Sequence, residues 1–289
     1  MGSKYDTPHD QFIIAYLPHP ERSEVVMSHA LPLAQMLNKG LILLYIEDPR
    51  YGGMTCAEAS ELLKAEVQRI KPQHNDTNYA ALRGKTKEII AALPMLLYGV
   101  VVVAESQNNA PHRNATHPRE VLHNFAESKI AYLVAQKELQ SKSSKRYMPN
   151  VALSIDYSRE SKEKLIWASY FARFGKSQLH ILSHAYRDER LNKLWSDNIR
   201  FMQKIFCGLA ITNYLQEKYI SHGVFTEPCA LEHAADKGYD MLISVTTDMR
   251  DRDTLELIIG TAEQRTIRNK QQLPILFLNP RDDLFVLCD

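Results

Sequence analysis

Short unbroken runs of apolar residues recur along the chain, separated by longer stretches in which apolar residues return every three or four positions. Phe12–Leu17, Leu41–Ile46, Val100–Ala104 and Ala131–Ala135 are such runs. Runs this short without polar alternation predict strands covered on both faces, as in a parallel sheet. Between them, Ser23–Leu37 places Val26, Ala30, Leu33 and Leu37 on one helical face. Met54–Ile70 and Lys85–Leu96 repeat the helical spacing, as do Ser161–Phe174 and a long segment, Glu189–Tyr219, in the second half. Strands alternating with helices predict an α/β fold, a parallel sheet with helices on both faces.

The pattern occurs twice. Ile13-Ile14-Ala15-Tyr16-Leu17 lies over Val151-Ala152-Leu153-Ser154-Ile155 at an offset of 138, and the register continues without a gap through the following helix. Ser23 falls on Ser161, Ala30 on Ala168, Leu33 on Phe171 and Ala34 on Ala172. Further on, Tyr98–Val103 pairs with Tyr239–Ser244 at an offset of 141, and Tyr132-Leu133-Val134 with Ile275-Leu276-Phe277. Residue class agrees in the same order throughout, which predicts a duplicated unit. Each copy reads as four strands and three helices. The polar stretch Gln140–Arg146 has linker composition, so the expected domains are 1–140 and 150–289, joined by a connector at 141–149. Its basic residues have no aromatic neighbours in sequence and read as a solvated link.

Charge and composition narrow the partners. Thirty-five basic residues against thirty-four acidic leave a net charge of +1, which gives no electrostatic case for nucleic acid or an anionic membrane. Cys56, Cys207, Cys229 and Cys288 form no zinc or redox spacing and read as reduced thiols. Met1–Gln11 has no apolar core, and the longest apolar stretch, Leu93–Ala104, falls short of the ~20 residues that span a bilayer. A cytoplasmic location is expected.

The stretch from Val151 to Ser161, an apolar strand ending in Asp156 with Ser158 two residues later, resembles the opening strand and loop of universal stress protein domains. Gly260-Thr261 opening a helix, the strand Leu273–Leu278 entered through Pro274, and Tyr239–Ile243 with its leading Asp240 fit the same family. The first half matches more weakly in the same order, so the chain resembles a tandem universal stress protein. The resemblance implies a five-stranded parallel sheet per half, one strand more than the pattern yields, in the adenine nucleotide alpha hydrolase-like arrangement. It further implies that the halves pack as an intrachain pseudo-dimer through their last strands, with a homodimer of two chains as a further step.

Family members that bind ATP carry Gly-x-x-Gly followed further on by Gly-Ser or Gly-Thr, where bare backbone N–H groups approach the phosphates. In the second half Gly260 and Thr261 match the last pair, but counting back places Arg250 and Thr247 at the earlier glycines. The loop Thr247–Asp253 also holds three carboxylates, which repel a triphosphate. Asp156, Ser158, Thr247, Arg250, Gly260 and Thr261 therefore outline a ligand crevice that keeps only part of the nucleotide framework. Asp156 reads equally as a helix cap or a cross-loop hydrogen-bond acceptor. In the first half Pro18 stands opposite Asp156, and the loop Glu105–Asn114 has no glycine. No cofactor is expected, ATP in the second half being the alternative.

Other constellations carry less. His112, His117 and His123 lack metal-ligand spacing and read as solvated, with Thr116 capping the helix that begins at Pro118. No Gly-x-Ser-x-Gly elbow occurs. Leu191, Leu194, Trp195, Ile199, Met202, Phe206 and Leu209 form an apolar stripe that reads as core, with exposure of Trp195 or Phe201 favouring a partner face. The expected function is a non-catalytic stress-response protein binding a small ligand or protein, without ATP in the family's usual manner. Weak ATP hydrolysis through Asp156, Gly260 and Thr261 is the enzyme alternative. An apolar ligand held by Leu93–Val103 is a third.

Overall fold

In the computed structural model the chain divides into two compact units, Met1–Gln140 and Ser141–Asp289. The structure describes residues 11–139, 146–183, 186–218, 226–246 and 262–279. The first unit runs β1 (Phe12–Tyr16), α1 (Glu24–Leu37), β2 (Gly40–Glu47), α2 (Cys56–Ile70), β3 (Thr77–Arg83), α3 (Thr86–Leu96), β4 (Gly99–Glu105), α4 (Pro118–Phe125) and β5 (Ala131–Ala135). Its strands are parallel in the order β3-β2-β1-β4-β5. Right-handed crossovers put α1 and α2 on one face and α3 and α4 on the other. Ser23 Oγ donates to Glu66 Oε1 at 3.2 Å across the first helix pair.

The second unit repeats this order. It comprises β6 (Asn150–Ile155), α5 (Ser161–Tyr170), a π-helical turn (Phe171–Gly175), β7 (Gln178–Ser183), α6 (Glu189–Gly208), β8 (Tyr214–Lys218), α7 (Thr226–Asp236), β9 (Met241–Val245), α8 (Ala262–Ile267) and β10 (Ile275–Leu278). Its parallel strands lie in the order β10-β9-β6-β7-β8. In both units the strand order reverses beside the first strand, between β1 and β4 and between β6 and β9. In open parallel sheets of this kind, ligands bind outside the carboxyl ends of the strands at such a reversal. Residues Ile13 to Leu17, Val101 to Ala104 and Val151 to Leu153 are all essentially inaccessible to solvent, which explains why these strands read as continuous apolar runs.

The fifth strand of each unit escapes pattern reading because it is an edge. β3 buries only Thr77 fully, and Tyr79 and Leu215 are exposed on β3 and β8. An edge strand needs only one covered side and takes polar residues that discourage further pairing. The helix expected over Glu189–Tyr219 therefore ends at Gly208. The chain turns through Ala210, at φ +51°, and enters β8. Within α6 only Met202 and Phe206 of the apolar stripe are buried, together with Asn198. Leu194 and Leu209 are exposed, and Trp195 and Phe201 are half-buried.

Helix starts are corrected in the same way. α2 begins at Cys56 rather than Met54, because Thr55 and Glu58 form a reciprocal capping box. α4 is capped by His117, whose Nδ1 accepts from Arg119 N at 3.2 Å. Thr116 Oγ1 instead donates to Asn114 Oδ1 at 2.8 Å. His117 is buried, against the solvated reading, while His112 and His123 are exposed. Leu93 and Val101 to Val103 fill the core, whereas Met95, Leu96 and Tyr98 of the same run are exposed. Gly40 and Gly99 open strands where the chain passes close to the core. A Cβ would lie 2.4 Å from the Phe12 ring at Gly40 and 2.9 Å from Ile14 and Ile130 at Gly99.

One buried polar group ties the first unit's outgoing chain to its first helix. His29 on α1 is fully buried, and its Nε2 bonds the Lys137 carbonyl at 3.1 Å. Leu139 N donates to Ser28 Oγ at 2.9 Å beside it. Burial lowers the imidazole pKa to about 4, with the Lys137 bond opposing only part of the shift. The unfolded chain takes up a proton near pH ~6.5 and the folded chain does not, so stability is full above that pH and falls as pH drops towards 4. The loss should reach roughly 3 kcal/mol over this window. Urea unfolding at pH 7, 6, 5 and 4 checks this: His29→Leu should flatten the slope, and an equally steep profile in the variant would contradict it.

Candidate functional site

In the second unit the crevice begins where β6 ends. β6 delivers Asp156 to the carboxyl edge of the sheet, and α5 starts five residues later at Ser161. Asp156 Oδ1 accepts from Ser158 N at 2.8 Å and from Ser161 Oγ at 2.7 Å, and also from Ser158 Oγ. Asp156 N donates to Ser161 Oγ at 3.1 Å. From α6, Asn198 Nδ2 donates to the carbonyls of Asp156 and Ser158, at 2.9 and 2.7 Å. The loop is thus pinned to both helices by its own polar atoms, and Asp156 is a cross-loop acceptor rather than a helix cap.

Beneath this loop lies a charge that the motif search passes over. Lys164 is 1% exposed, and its Nζ donates to Ser154 Oγ at 2.9 Å. Burial pushes the Asp156 carboxyl up, but the Lys164 charge and the Ser158 and Ser161 hydrogen bonds outweigh it and hold the group below its ordinary range. A carboxylate held down in this way is a weak base. The repeat register contains the signal for Lys164: at the offset of 138 it stands on Val26, which is buried in α1. A lysine at a core position asks for a partner. At the rim Tyr157 meets Tyr186 edge to face, ring centroids 5.2 Å apart. Thr246, one residue past β9, donates through Oγ1 to Asn279 Oδ1 at 2.6 Å. Thr247, Arg250, Gly260 and Thr261, the remaining candidates, lie outside the described residues.

The first unit has Pro18 at the corresponding strand end and builds its polar cluster one strand over. Asp48, just past β2, is 2% exposed. Arg50 binds it through Nε at 3.1 Å and Nη2 at 2.7 Å, and Thr86 N at the start of α3 donates to Oδ2 at 2.7 Å. Burial raises the Asp48 carboxyl, but these bonds prevail and hold it well below the usual range. Tyr51 donates to Glu120 Oε2 at 3.0 Å and accepts from Asn124 Nδ2 at 3.1 Å. The cluster knots the β2 loop to α3 and α4, and its groups satisfy one another. Ser106 Oγ, at the end of β4, is buried without a hydrogen-bond partner among the described residues.

A further titratable cluster lies away from the crevice, between α7 and the strands. Glu217 of β8 receives Tyr239 Oη at 2.7 and 2.9 Å, His180 Nδ1 at 2.6 Å and His233 Nε2 at 3.2 Å. His180 stacks on Tyr239 with centroids 3.8 Å apart. In the repeat, His180 stands on Ile42, again a buried apolar position of the first unit. Among the described residues no group of three His, Cys, Asp or Glu is placed to hold a metal, and no helix is long and apolar enough to cross a membrane.

No family model and no curated protein matches the sequence. Solved structures do match. A universal stress protein from Archaeoglobus fulgidus DSM 4304 superposes with a TM-score of 0.69 at 14% identity, over 95% of this chain and 98% of that one. A protein of unknown function from Pseudomonas aeruginosa PAO1 gives 0.61 at 13%, over 96% and 94%. The cytoplasmic domain of a prokaryotic cation chloride cotransporter gives 0.56 at 11%, over 96% and 99%. What is shared at these identities is the fold. The chain has the α/β, adenine nucleotide alpha hydrolase-like fold of universal stress proteins.

Burial raises the Glu217 carboxyl, yet the hydrogen bonds from Tyr239, His180 and His233 win and lower its pKa to about 2. Its stabilising effect is present above the unfolded value of ~4.3 and disappears as pH falls from there towards 2. Glu217→Gln should therefore be less stable than the parent at pH 7, with the gap closing between about pH 4 and 2. Chemical denaturation of both proteins across that range measures the gap. A gap independent of pH would remove Glu217 from the role.

Proposed function

We propose that the chain is a non-catalytic, cytoplasmic protein of the universal stress type, acting in a stress response by binding a small ligand or a protein partner. The carrying observation is the state of Asp156. It stands where the family resemblance puts the acid that meets the adenine side of the nucleotide, and here it is engaged by Ser158, Ser161 and the buried Lys164. The three hydrogen bonds all end on Oδ1, so a nucleotide held through that oxygen would compete with bonds worth about 1.5–3 kcal/mol each, since the acceptor is charged. Pro18 offers no carboxylate in the first unit. Both observations support a ligand other than ATP in the family's usual manner. Weak ATP hydrolysis in the second unit is the rival reading, favoured by Asp156 keeping its position.

The purified chain, extracted with acid and analysed by mass spectrometry, should release no stoichiometric nucleotide. Titration with ATP and magnesium should show no saturable binding up to millimolar concentration and no phosphate release above background. Tight, stoichiometric ATP binding abolished by Asp156→Asn would overturn the reading, and ATP turnover abolished by the same change would establish the rival. Asp156→Ala is the poorer variant. It leaves Ser158 N without its acceptor and Ser161 with one bond fewer, and should cost about 1–3 kcal/mol of stability in urea unfolding.

A further inference from the structure

The two edge strands are guarded unequally. β8 has five residues and carries Glu217, an inward-pointing carboxylate held by His180, His233 and Tyr239. Shortness and an inward charge both keep an edge from pairing further. β3 has neither. It runs seven residues, Thr77–Arg83, in unbroken register with β2 from Leu41 to Glu47. Its one charged residue, Arg83, stands at its end and pairs with Glu47 at 3.3 Å. The strand holds no proline, and Tyr79 on it is 41% exposed. Among the described residues β3 pairs with β2 alone.

The ladder fixes which main-chain groups point outward. Leu41 N donates to the Asp76 carbonyl at 2.9 Å and Gly84 N to the Glu47 carbonyl at 3.1 Å, so Asp76 and Gly84 face β2. The N–H and C=O of one residue point the same way, and the direction alternates along a strand. Thr77, Tyr79, Ala81 and Arg83 therefore turn these groups away from the sheet. Water can satisfy them, as at any edge, so exposure alone decides nothing. The order of residues does, because it is self-complementary. In an antiparallel pair centred on Ala80, Tyr79 lies opposite Ala81 and Thr77 opposite Arg83. Every outward residue then meets an outward residue, giving roughly eight main-chain hydrogen bonds. Arg83 faces Thr77, next to Asp76, and not the other Arg83, so no like charges stand opposite. Such a contact uses one patch on both copies and closes at two.

We propose that two copies of the chain associate by pairing their β3 strands antiparallel about Ala80, which extends the sheet of the first unit across a two-fold axis. The association does not depend on which ligand the chain binds. Sedimentation velocity of the full chain across micromolar concentrations should show a reversible monomer–dimer equilibrium. Tyr79→Lys with Ala81→Lys sets lysines opposite one another and should weaken it at least about tenfold. Leu215→Lys, on β8, should leave it unchanged. Ala80 lies opposite its own copy as a non-hydrogen-bonded pair, with Cα atoms about 4.5 Å apart, within reach of a disulfide. Ala80→Cys should therefore give a covalent dimer on mild oxidation, beyond what the parent's own cysteines give. Asn78→Cys, placed opposite Leu82, should not. The cysteine readout serves if the double-lysine variant melts early. A chain that stays monomeric, or a dimer that withstands the lysines or is dissociated by Leu215→Lys, would overturn the β3 contact. Crosslinking through position 78 in preference to 80 would overturn the pairing about Ala80.

Discussion

A strand covered by helices on both faces can hold a charge only where another group meets it, because isolated charges are too costly to desolvate in such an interior. This constraint organises both units. The inner strands are almost wholly apolar, and charged or strongly polar residues collect at strand ends and edges. Asp48 sits one residue past β2, Asp156 one residue past β6, and Glu217 on the edge strand β8. Each carboxylate is met by several donors, and each is held below its ordinary pKa despite burial.

Comparing the two units makes the constraint visible. Both units use one strand order and one helix arrangement, yet their polar clusters occupy different places. The first unit puts its cluster behind β2, where Asp48 joins α3 and α4. The second replaces core positions of the first, Val26 by Lys164 and Ile42 by His180, and balances each with an acid. A scaffold whose stability rests on the apolar sheet leaves its ends free to vary, and the variation falls where ligands approach.

The serine-rich loop after β6 shows how a retained residue can change its work. Asp156 keeps the position that the family resemblance gives it, while its oxygen is surrounded by hydroxyls of its own loop. Asn198, forty residues along the chain from Ser158, fixes the same loop through its carbonyls. Position at a strand end is a matter of sequence register, whereas availability depends on what the adjoining helices bring. Shared topology with a universal stress protein and with a transporter's cytoplasmic domain makes the same point at larger scale.

The sequence by itself determined the repeat, the inner strands and most helix positions. Apolar periodicity is imposed by burial, and burial of a parallel sheet is nearly complete. It also placed Asp156 against Pro18, since register needs no coordinates. Only the tertiary structure decided the edge strands, because β3 and β8 are covered on one side and read as polar chain. It moved the caps of α2 and α4 to Thr55 and His117, and ended α6 at Gly208. It alone brought Lys164 and Asn198 to Asp156, and His180 and His233 to Glu217. Those groupings join residues far apart in the chain, and the pairing energy of buried charges depends on distances that no local pattern encodes.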